Sequence, residues 1–454
     1  MRIRRLALKL TLVAIVVLAL AAPAGATAAT LRTRITAALK AHGFAGATCD
    51  VRVYDLSTGT GLYAHDIATK RMPASNEKLV TTATALAKWG ADHRFKTEML
   101  TTGTLASDGT YTGMIFIKGF GDPTLSTGAY QSKVLGFKTA RLGDFVTALK
   151  KAGVKRIVGR VVGDGTYFDD LRTVASWHAD ELSDCAPLSA LCLNGDLSAS
   201  GGRLVDPART FAQQLTAVLK KNGVRVSGKA TVWPTPAKAK LSYTELSAPL
   251  WRILAAMDKP SDNFFAEELT KGLGASFGGG GTTARGLKVD RAFLASIGIP
   301  AKDVTLADGS GLSYSDRLSA LDITVLLRAM MLRSDWQTFY DSLAIAGVDG
   351  TLHDRMRHTA AYDNVRGKTG TLSVASNLSG FATSRNGNWL LFSVLMDTAP
   401  HWIDVTAAHE AQDAIAVALA RSTPGGTVTW SPSPAPTSTP AAGGANSSTQ
   451  STTP

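Results

Sequence analysis

The chain has 454 residues, 45% of them hydrophobic, and a net charge of +12. That length gives room for two or three domains with cores of their own, and the apolar content excludes a wholly disordered chain. The basic excess suits an anionic membrane, an anionic wall polymer or a plainly solvated surface. No run of Lys and Arg is interleaved with aromatic residues, so nucleic acid is not expected as a partner.

The elements follow in chain order. Arg2, Arg4, Arg5 and Lys9 precede an apolar run over 10–22, and Ala24-Gly25-Ala26 and Ala26-Thr27-Ala28 both fit a small-residue cleavage pattern. Residues 1–28 are read as a secretory signal peptide, its apolar part short for a membrane span; the alternative is an uncleaved anchor. A short amphipathic helix is expected over 31–43 and a hairpin over 46–66. Pro73-Ala74-Ser75 then opens a helix whose apolar face is Val80, Ala83, Leu86 and Ala87, and Gly90 ends it. Between 95 and 240 short β-like pieces (113–117, 157–162, 224–226) alternate with turn clusters and two helices, 143–152 and 208–222. This stretch reads as a separate mixed domain. Helical patterning returns over 249–273, 284–297 and 318–333. A strand over 367–372, a hairpin turning at Asn386-Gly387 and a helix over 403–420 close the folded part. Strands at both ends thus bracket helical material, which predicts one antiparallel sheet built from both ends and covered by helices. Residues 422–454 are rich in Ser, Thr, Pro, Gly and Ala, with no charge after Arg421, and read as a disordered tail.

There are three cysteines. Cys49 lies in a strand-like segment and reads as core. Cys185 and Cys192 either close a small disulfide loop or stay as two buried thiols. Without a CxxC pair they make no zinc site. The glycine run over 278–281 has no following Lys-Ser/Thr, and His409-Glu410 has no second His four residues on. No metal and no cofactor is expected.

Three short motifs carry the chemistry. Ser75-Asn76-Glu77-Lys78, Ser261-Asp262-Asn263 and Lys368-Thr369-Gly370 occur in that order, as S-x-x-K, S-D-N and K-T-G do in serine acyl-transfer enzymes. Each alone has an ordinary reading as a helix cap, a cap cluster or a strand-end turn. Their ordered co-occurrence in a secreted chain is specific. The first is expected to open a helix, the second to sit on a helical segment and the third on a strand. Residues three apart on a helix share a face, so Ser75 and Lys78 meet in one cleft. A serine hydroxyl needs a base, and a free lysine with a pKa near ~10.4 is almost wholly charged at neutral pH. Bringing it near neutrality costs roughly 4 kcal/mol, which burial and a second cation such as Lys368 can supply. Lys368 and Thr369 are expected to hold a substrate carboxylate. Ser261 is expected to pass a proton to the leaving amine, and Asn263 to hydrogen-bond the substrate amide. The backbone N–H groups of Ser75 and Thr371, beside Gly370, are expected to form the oxyanion hole.

With these residues in view the chain resembles the D-alanyl-D-alanine carboxypeptidase/endopeptidase family, the class C low-molecular-weight penicillin-binding proteins. The segments 73–79, 119–125 (Gly-Phe-Gly-Asp-Pro-Thr-Leu), 307–313 (Ala-Asp-Gly-Ser-Gly-Leu-Ser) and 350–352 (Gly-Thr-Leu) are similar to family stretches, and the likeness spans about 31–421. Lys78 and Ser261 stand 183 residues apart, room for the inserted domain of that family. One departure is Leu193-Asn194-Gly195-Asp196, where the family has Asn-x-Asn. The resemblance implies an α+β fold: a penicillin-binding/β-lactamase-like transpeptidase domain (29–94 and 245–421), with a β-rich mixed region (95–244) inserted between the first two motifs. It further implies a Ser75 acyl-enzyme, catalytic Ser75, Lys78 and Ser261, and substrate contacts at Asn263, Lys368, Thr369, Gly370 and Thr371. The implied partners are peptidoglycan stem peptides ending in D-Ala-D-Ala, with β-lactams as inhibitors. The rivals are a β-lactamase or esterase using the same serine, and a non-catalytic wall-binding relative.

Overall fold

The computed structural model describes residues 24–197 and 202–425. The expected signal peptide lies outside the described residues up to position 23, and the expected tail from position 426 onward. Among the described residues no helix is long and apolar enough to cross a membrane.

Helix α1 (Ala24–Ala41) leads into a hairpin of β1 (Cys49–Asp55) and β2 (Thr60–His65), then α2 (Lys78–Trp89). β3 (Lys96–Thr101), β4 (Thr104–Leu105) and β5 (Thr110–Gly119) follow, then α3 (Gly128–Tyr130), α4 (Leu142–Lys151) and β6 (Arg156–Asp164). α5 (Pro207–Lys221), β7 (Arg225–Val226), β8 (Thr231–Val232) and β9 (Lys240–Leu246) close this middle stretch. Next come α6 (Leu250–Asp258), α7 (Asn263–Phe277), α8 (Thr283–Ser296), α9 (Ala320–Met331) and α10 (Trp336–Ser342). The short β10 (Ala344–Ile345), then β11 (Arg366–Leu372), β12 (Ala375–Thr383), β13 (Trp389–Asp397) and α11 (Val405–Ala420) complete the fold.

The first sheet has six strands in the order β10-β11-β12-β13-β1-β2. β1 lies antiparallel to β13, with Cys49 opposite Met396 and Asp55 opposite Leu390, so the two ends of the chain close one sheet. Successive side chains of a strand point to opposite faces, and both faces are covered here. Leu390, Phe392 and Val394 pack against Ile35 and Leu39 of α1 and Ile415 and Leu419 of α11. Leu391 and Leu395 face the other way, into a helical core with Leu86, Leu254, Leu269 and Leu327. Each such buried side chain contributes roughly 1.5–3 kcal/mol. The result is an α+β architecture, with the sheet held between two helical layers.

The second sheet has seven strands, order β7-β6-β5-β3-β9, with β4 beside β5 and β8 beside β6. β5, β6 and β7 run parallel, while β3 is antiparallel to β5 and β9. Phe145 and Leu149 of α4 and Phe211 and Leu215 of α5 cover Ile115, Ile117, Ile157 and Val161. Asp206 caps α5 by accepting from the Arg209 N–H, and Pro207 occupies its first turn. The middle stretch is not wholly separate from the rest. Trp177, Cys185, Leu188 and Cys192 belong to the same core as Leu86 and Leu269.

Several expectations are corrected. The helix read over 31–43 begins earlier, at Ala24. The pattern over 249–273 is two helices, not one: α6 ends at Asp258 and α7 begins at Asn263. The second motif therefore does not sit on a continuous helix. Ser261 lies in the break with φ +66°, and Asp262 caps α7 by accepting from the Phe265 N–H. Pro260 was the signal for this break, because proline has no N–H with which to continue the helical hydrogen-bond ladder beyond Lys259. All three cysteines are free and buried. The Cys192 thiol donates to the Asp122 carbonyl at 2.9 Å, so the two-thiol alternative describes Cys185 and Cys192.

Candidate active site

Ser75 does not open an α-helix directly. Residues Ala74–Glu77 form a tight 3-10 turn, and α2 starts at Lys78. Every residue from 71 to 80 is buried except Ser75, which is half-exposed. The preceding Ala74 is held at φ +45°, a left-handed conformation that costs of order 1–3 kcal/mol unless the surroundings impose it. Two glycines allow that. A Cβ on Gly311 (φ +80°) would lie 1.9 Å from the Ala74 carbonyl oxygen. One on Gly370 would lie 2.7 Å from the Pro73 carbonyl oxygen and 3.0 Å from the Ser75 nitrogen. Glycine at both positions lets the 308–313 loop and strand β11 close on the Ser75 turn from two sides.

Lys78 is fully buried. Its ammonium donates to Ser75 Oγ at 2.9 Å, to Asn263 Oδ1 at 2.6 Å and to the Ser310 carbonyl at 2.7 Å. Burial pushes its pKa down to about 8, against the carboxylates of Asp308, Asp262, Glu267 and Asp258, which favour the charged form. The Ser310 carbonyl is aimed by the loop around Asp308. The Asp308 carboxylate accepts from the N–H groups of Ser310, Gly311 and Ser313 and from Trp177 Nε1 at 2.7 Å. Glu267 of α7 accepts from the Gly309 N–H at 2.9 Å, and Thr81 of α2 donates to the Gly309 carbonyl at 2.7 Å.

Lys368 on β11 is also fully buried. It donates to Ser261 Oγ at 2.8 Å and to the Thr369 carbonyl at 3.0 Å. Burial first, and the Lys78 charge second, bring its pKa down to about 7, with Asp258 opposing. Asp258 accepts from Thr82 and Ser342 hydroxyls at 2.8 and 2.7 Å, and burial raises its pKa to about 6. Thr369 donates to Thr351 Oγ1 at 2.7 Å. β10 pairs with β11 only at Gly367 and Arg366, so the edge of β11 beyond them faces a cleft of about 490 Å³. Ser75, Ser261, Asn263, Thr351 and residues 369–373 line one side of it, and Glu181, Asp184, Leu312 and Trp402 are also on its walls.

The eight residues expected from the motifs are thus brought to one place, with two differences of detail. Lys368 does not line the cleft but stands behind Ser261, so its ammonium meets a hydroxyl rather than open space. Asn263 is engaged at both ends, its Nδ2 donating to the Asp184 carbonyl at 3.0 Å. Asp196, at the departure noted above, is buried away from the cleft and accepts from the Leu193 N–H at 2.8 Å. The motif reading gave no role to the Ser310 carbonyl, Asp308, Thr351, Asp258 or Asp184. The 307–313 and 350–352 segments were the available signal for three of them.

The sequence profile of the D-Ala-D-Ala carboxypeptidase 3 (S13) family matches residues 31–202 and 196–422. The D-alanyl-D-alanine carboxypeptidase of Actinomadura sp. (strain R39) is 31% identical, over 88% of this chain and 86% of that one. Among solved structures, penicillin binding protein 4 from Haemophilus influenzae superposes with a TM-score of 0.70 at 20% identity, over 84% of this chain and 97% of that one. The same protein complexed with a β-lactam gives 0.64 at 20% identity, over 80% and 94%. The likeness to these structures establishes the fold, and the profile and the Actinomadura relative establish the descent: the chain belongs to the D-Ala-D-Ala carboxypeptidase 3 (S13) family.

Proposed function

We propose that this chain is a serine D-Ala-D-Ala carboxypeptidase that works through a Ser75 acyl-enzyme. The observation that carries the reading is the fully buried Lys78 ammonium 2.9 Å from Ser75 Oγ, with a pKa lowered to about 8. Neutral Lys78 takes the Ser75 hydroxyl proton as Oγ attacks the carbonyl carbon of the penultimate D-Ala. The tetrahedral oxyanion is held by the N–H groups of Ser75 and Thr371, whose chain segments Gly370 brings side by side. The C–N bond breaks, the terminal D-Ala amine takes a proton, and Ser75 is left as an ester. Water then attacks the ester, gives a proton to the base and frees the serine.

Ser261 is the proposed proton carrier to the leaving amine. Its oxygen accepts from Lys368, which leaves its own O–H to point elsewhere, and the hydroxyl is on the cleft wall. Lys368 therefore acts through Ser261 and through its field, while Thr369 and Thr371 offer hydroxyls to the substrate carboxylate. Asn263 holds Lys78 and is placed to reach the substrate amide if it releases Asp184. The proposed partners are peptidoglycan stem peptides ending in D-Ala-D-Ala, with β-lactams as acylating inhibitors. Cleavage of D-amino cross-links belongs to the same proposal and rests on the openness of the cleft and the family likeness. Residues 1–28 support secretion, and the net charge of +8 left without their four basic residues (12 − 4) supports anionic wall polymers as neighbours.

Labelled penicillin and a D-Ala-D-Ala peptide test the reading together. The native chain is expected to hold a long-lived adduct at Ser75 and to release D-Ala. Ser75→Ala abolishes both, and Lys78→Ala lowers acylation by about 10²–10⁴-fold. Full D-Ala release by Ser75→Ala would overturn the mechanism, and rapid penicillin turnover would make the chain a lactamase.

A further inference from the structure

Helices α4 and α5 lie together on one face of the second sheet, and both run toward the same end of it. The Lys150 ammonium at the end of α4 donates to the Asn222 carbonyl just beyond α5, at 3.2 Å. The strands that follow start side by side, with Arg156 of β6 in register with Arg225 of β7 and the Arg225 N–H donating to the Lys155 carbonyl. Two helix ends and two strand starts therefore converge. Each brings cations: Lys150 and Lys151, Lys220 and Lys221, then Lys155, Arg156 and Arg225, all exposed.

Residues 145–163 and 207–244 contain no carboxylate at all. The ion pairs of these elements sit at the opposite ends: Arg141–Asp144 where α4 begins, Asp206–Arg209 where α5 begins, and Lys118–Asp164 where β6 finishes. Asp108 faces the basic end from the turn before β5, but its oxygens accept from the Thr110 N–H and hydroxyl. Cations in the last turn of a helix complement its dipole, which accounts for the two lysine pairs one at a time. It does not account for the strand residues, nor for Arg160, four residues and roughly 13 Å further along the same face of β6. Lys229 stands near it, since the neighbouring Gly228 N–H donates to the Gly159 carbonyl. Arg156 and Arg160 alternate with the helix-covered Ile157 and Val161, so the cations form a stripe that passes from the helix ends round the end of the sheet onto its open face rather than a spot.

We propose that this stripe docks a linear polyol-phosphate polymer of the cell envelope. Charge complementarity selects a polyanion, and the length of the stripe selects a chain over a single ion. Among the described residues no exposed aromatic side chain lies between these cations; the exposed Trp233, whose N–H donates to the Gly163 carbonyl, lies beyond Arg160 toward the end of β6 that carries Asp164. The stripe's exposed hydrophobic residues are Val158 and Met114, the latter in register with Arg160, two scattered side chains rather than the continuous apolar face that inserts into a bilayer. Docking there leaves the Ser75 cleft open.

The full chain is titrated with lipid-free poly(glycerol phosphate), with phosphatidylglycerol vesicles and with an oligothymidylate. The polymer is expected to bind best, and to weaken by at least about tenfold between 50 and 200 mM salt. Lys155→Glu with Arg156→Glu and Arg225→Glu is expected to lower polymer affinity by at least about tenfold while D-Ala release from a soluble peptide is unchanged. If that variant loses penicillin labelling, and so its fold, Gln at Lys150, Lys151, Lys220 and Lys221 replaces it, with a loss of about fivefold expected. Unchanged polymer affinity in a folded variant, or tighter binding of the native chain to vesicles or oligonucleotide, overturns the proposal.

Discussion

Lys78 must be neutral before it can take a proton from Ser75, and its surroundings pull both ways. Burial removes water from the ammonium, while four buried carboxyl groups around it (Glu77, Asp258, Glu267 and Asp308) and the half-buried Asp262 favour the charge. With a pKa of about 8, about one lysine in ten is neutral at pH 7, against fewer than about one in a thousand for a free side chain. The rate of acylation by penicillin should therefore rise about tenfold for each pH unit below a midpoint near 8, and level off above it. Stopped-flow acylation between pH 6 and 9 measures this, and a flat profile would place the base elsewhere. The Ser75–Lys78 pair was legible because its geometry is local, set by three residues of helix. The Ser310 carbonyl that completes the lysine's shell was not, because a backbone oxygen carries no residue identity and reaches Lys78 from 232 positions away.

Helix α7 shows what the next scale adds. Every residue from Phe264 to Gly274 is buried, including Glu267, Glu268 and Lys271. Charges on a helix ordinarily lie on a solvated face, since carboxylates are rarely buried without a partner. Here Glu267 holds the Gly309 N–H under the active-site loop, and Glu268 holds the Ser189 N–H of the middle stretch at 2.8 Å. Burial raises the pKa of Glu268 to about 8. The folded chain then keeps a proton that the unfolded chain, with a carboxyl pKa near ~4.3, gives up. Its contribution to stability is fully present below that lower value and declines as pH rises toward about 8. Glu268→Gln retains the acceptor and the shape without the charge. Its melting temperature should exceed that of the native chain by at least about 3 °C at pH 8 and match it near pH 4.5. A thermal scan at both pH values checks this, and an equal shift at both would remove ionisation as the cause.

At the scale of the whole molecule, the middle stretch leaves and returns at one place. The Ser247 N–H donates to the Phe95 carbonyl, the Leu250 N–H to His93 and the Trp251 N–H to Ala91. A short linker could join those points without strain, which is how an insertion would be accommodated. The alternation of β-like and helical pieces made this stretch legible as a unit, but β3 and β9 were missed, and nothing local marks what residues 177–189 do. They cross into the catalytic body: Trp177 Nε1 bonds Asp308, the Asp184 carbonyl bonds Asn263, and the Ser189 N–H bonds Glu268. Two of those three partners touch Lys78 or aim the carbonyl that does. A chain in which a short linker replaces residues 96–246 should therefore lose penicillin acylation even where it stays soluble. Trp177→Phe, which removes one hydrogen bond to a carboxylate and little volume, should keep the fold and lower acylation by about tenfold. Native rates in the trimmed chain would show that the catalytic body assembles Lys78 alone, and native rates in Trp177→Phe would free the Asp308 loop from the middle stretch.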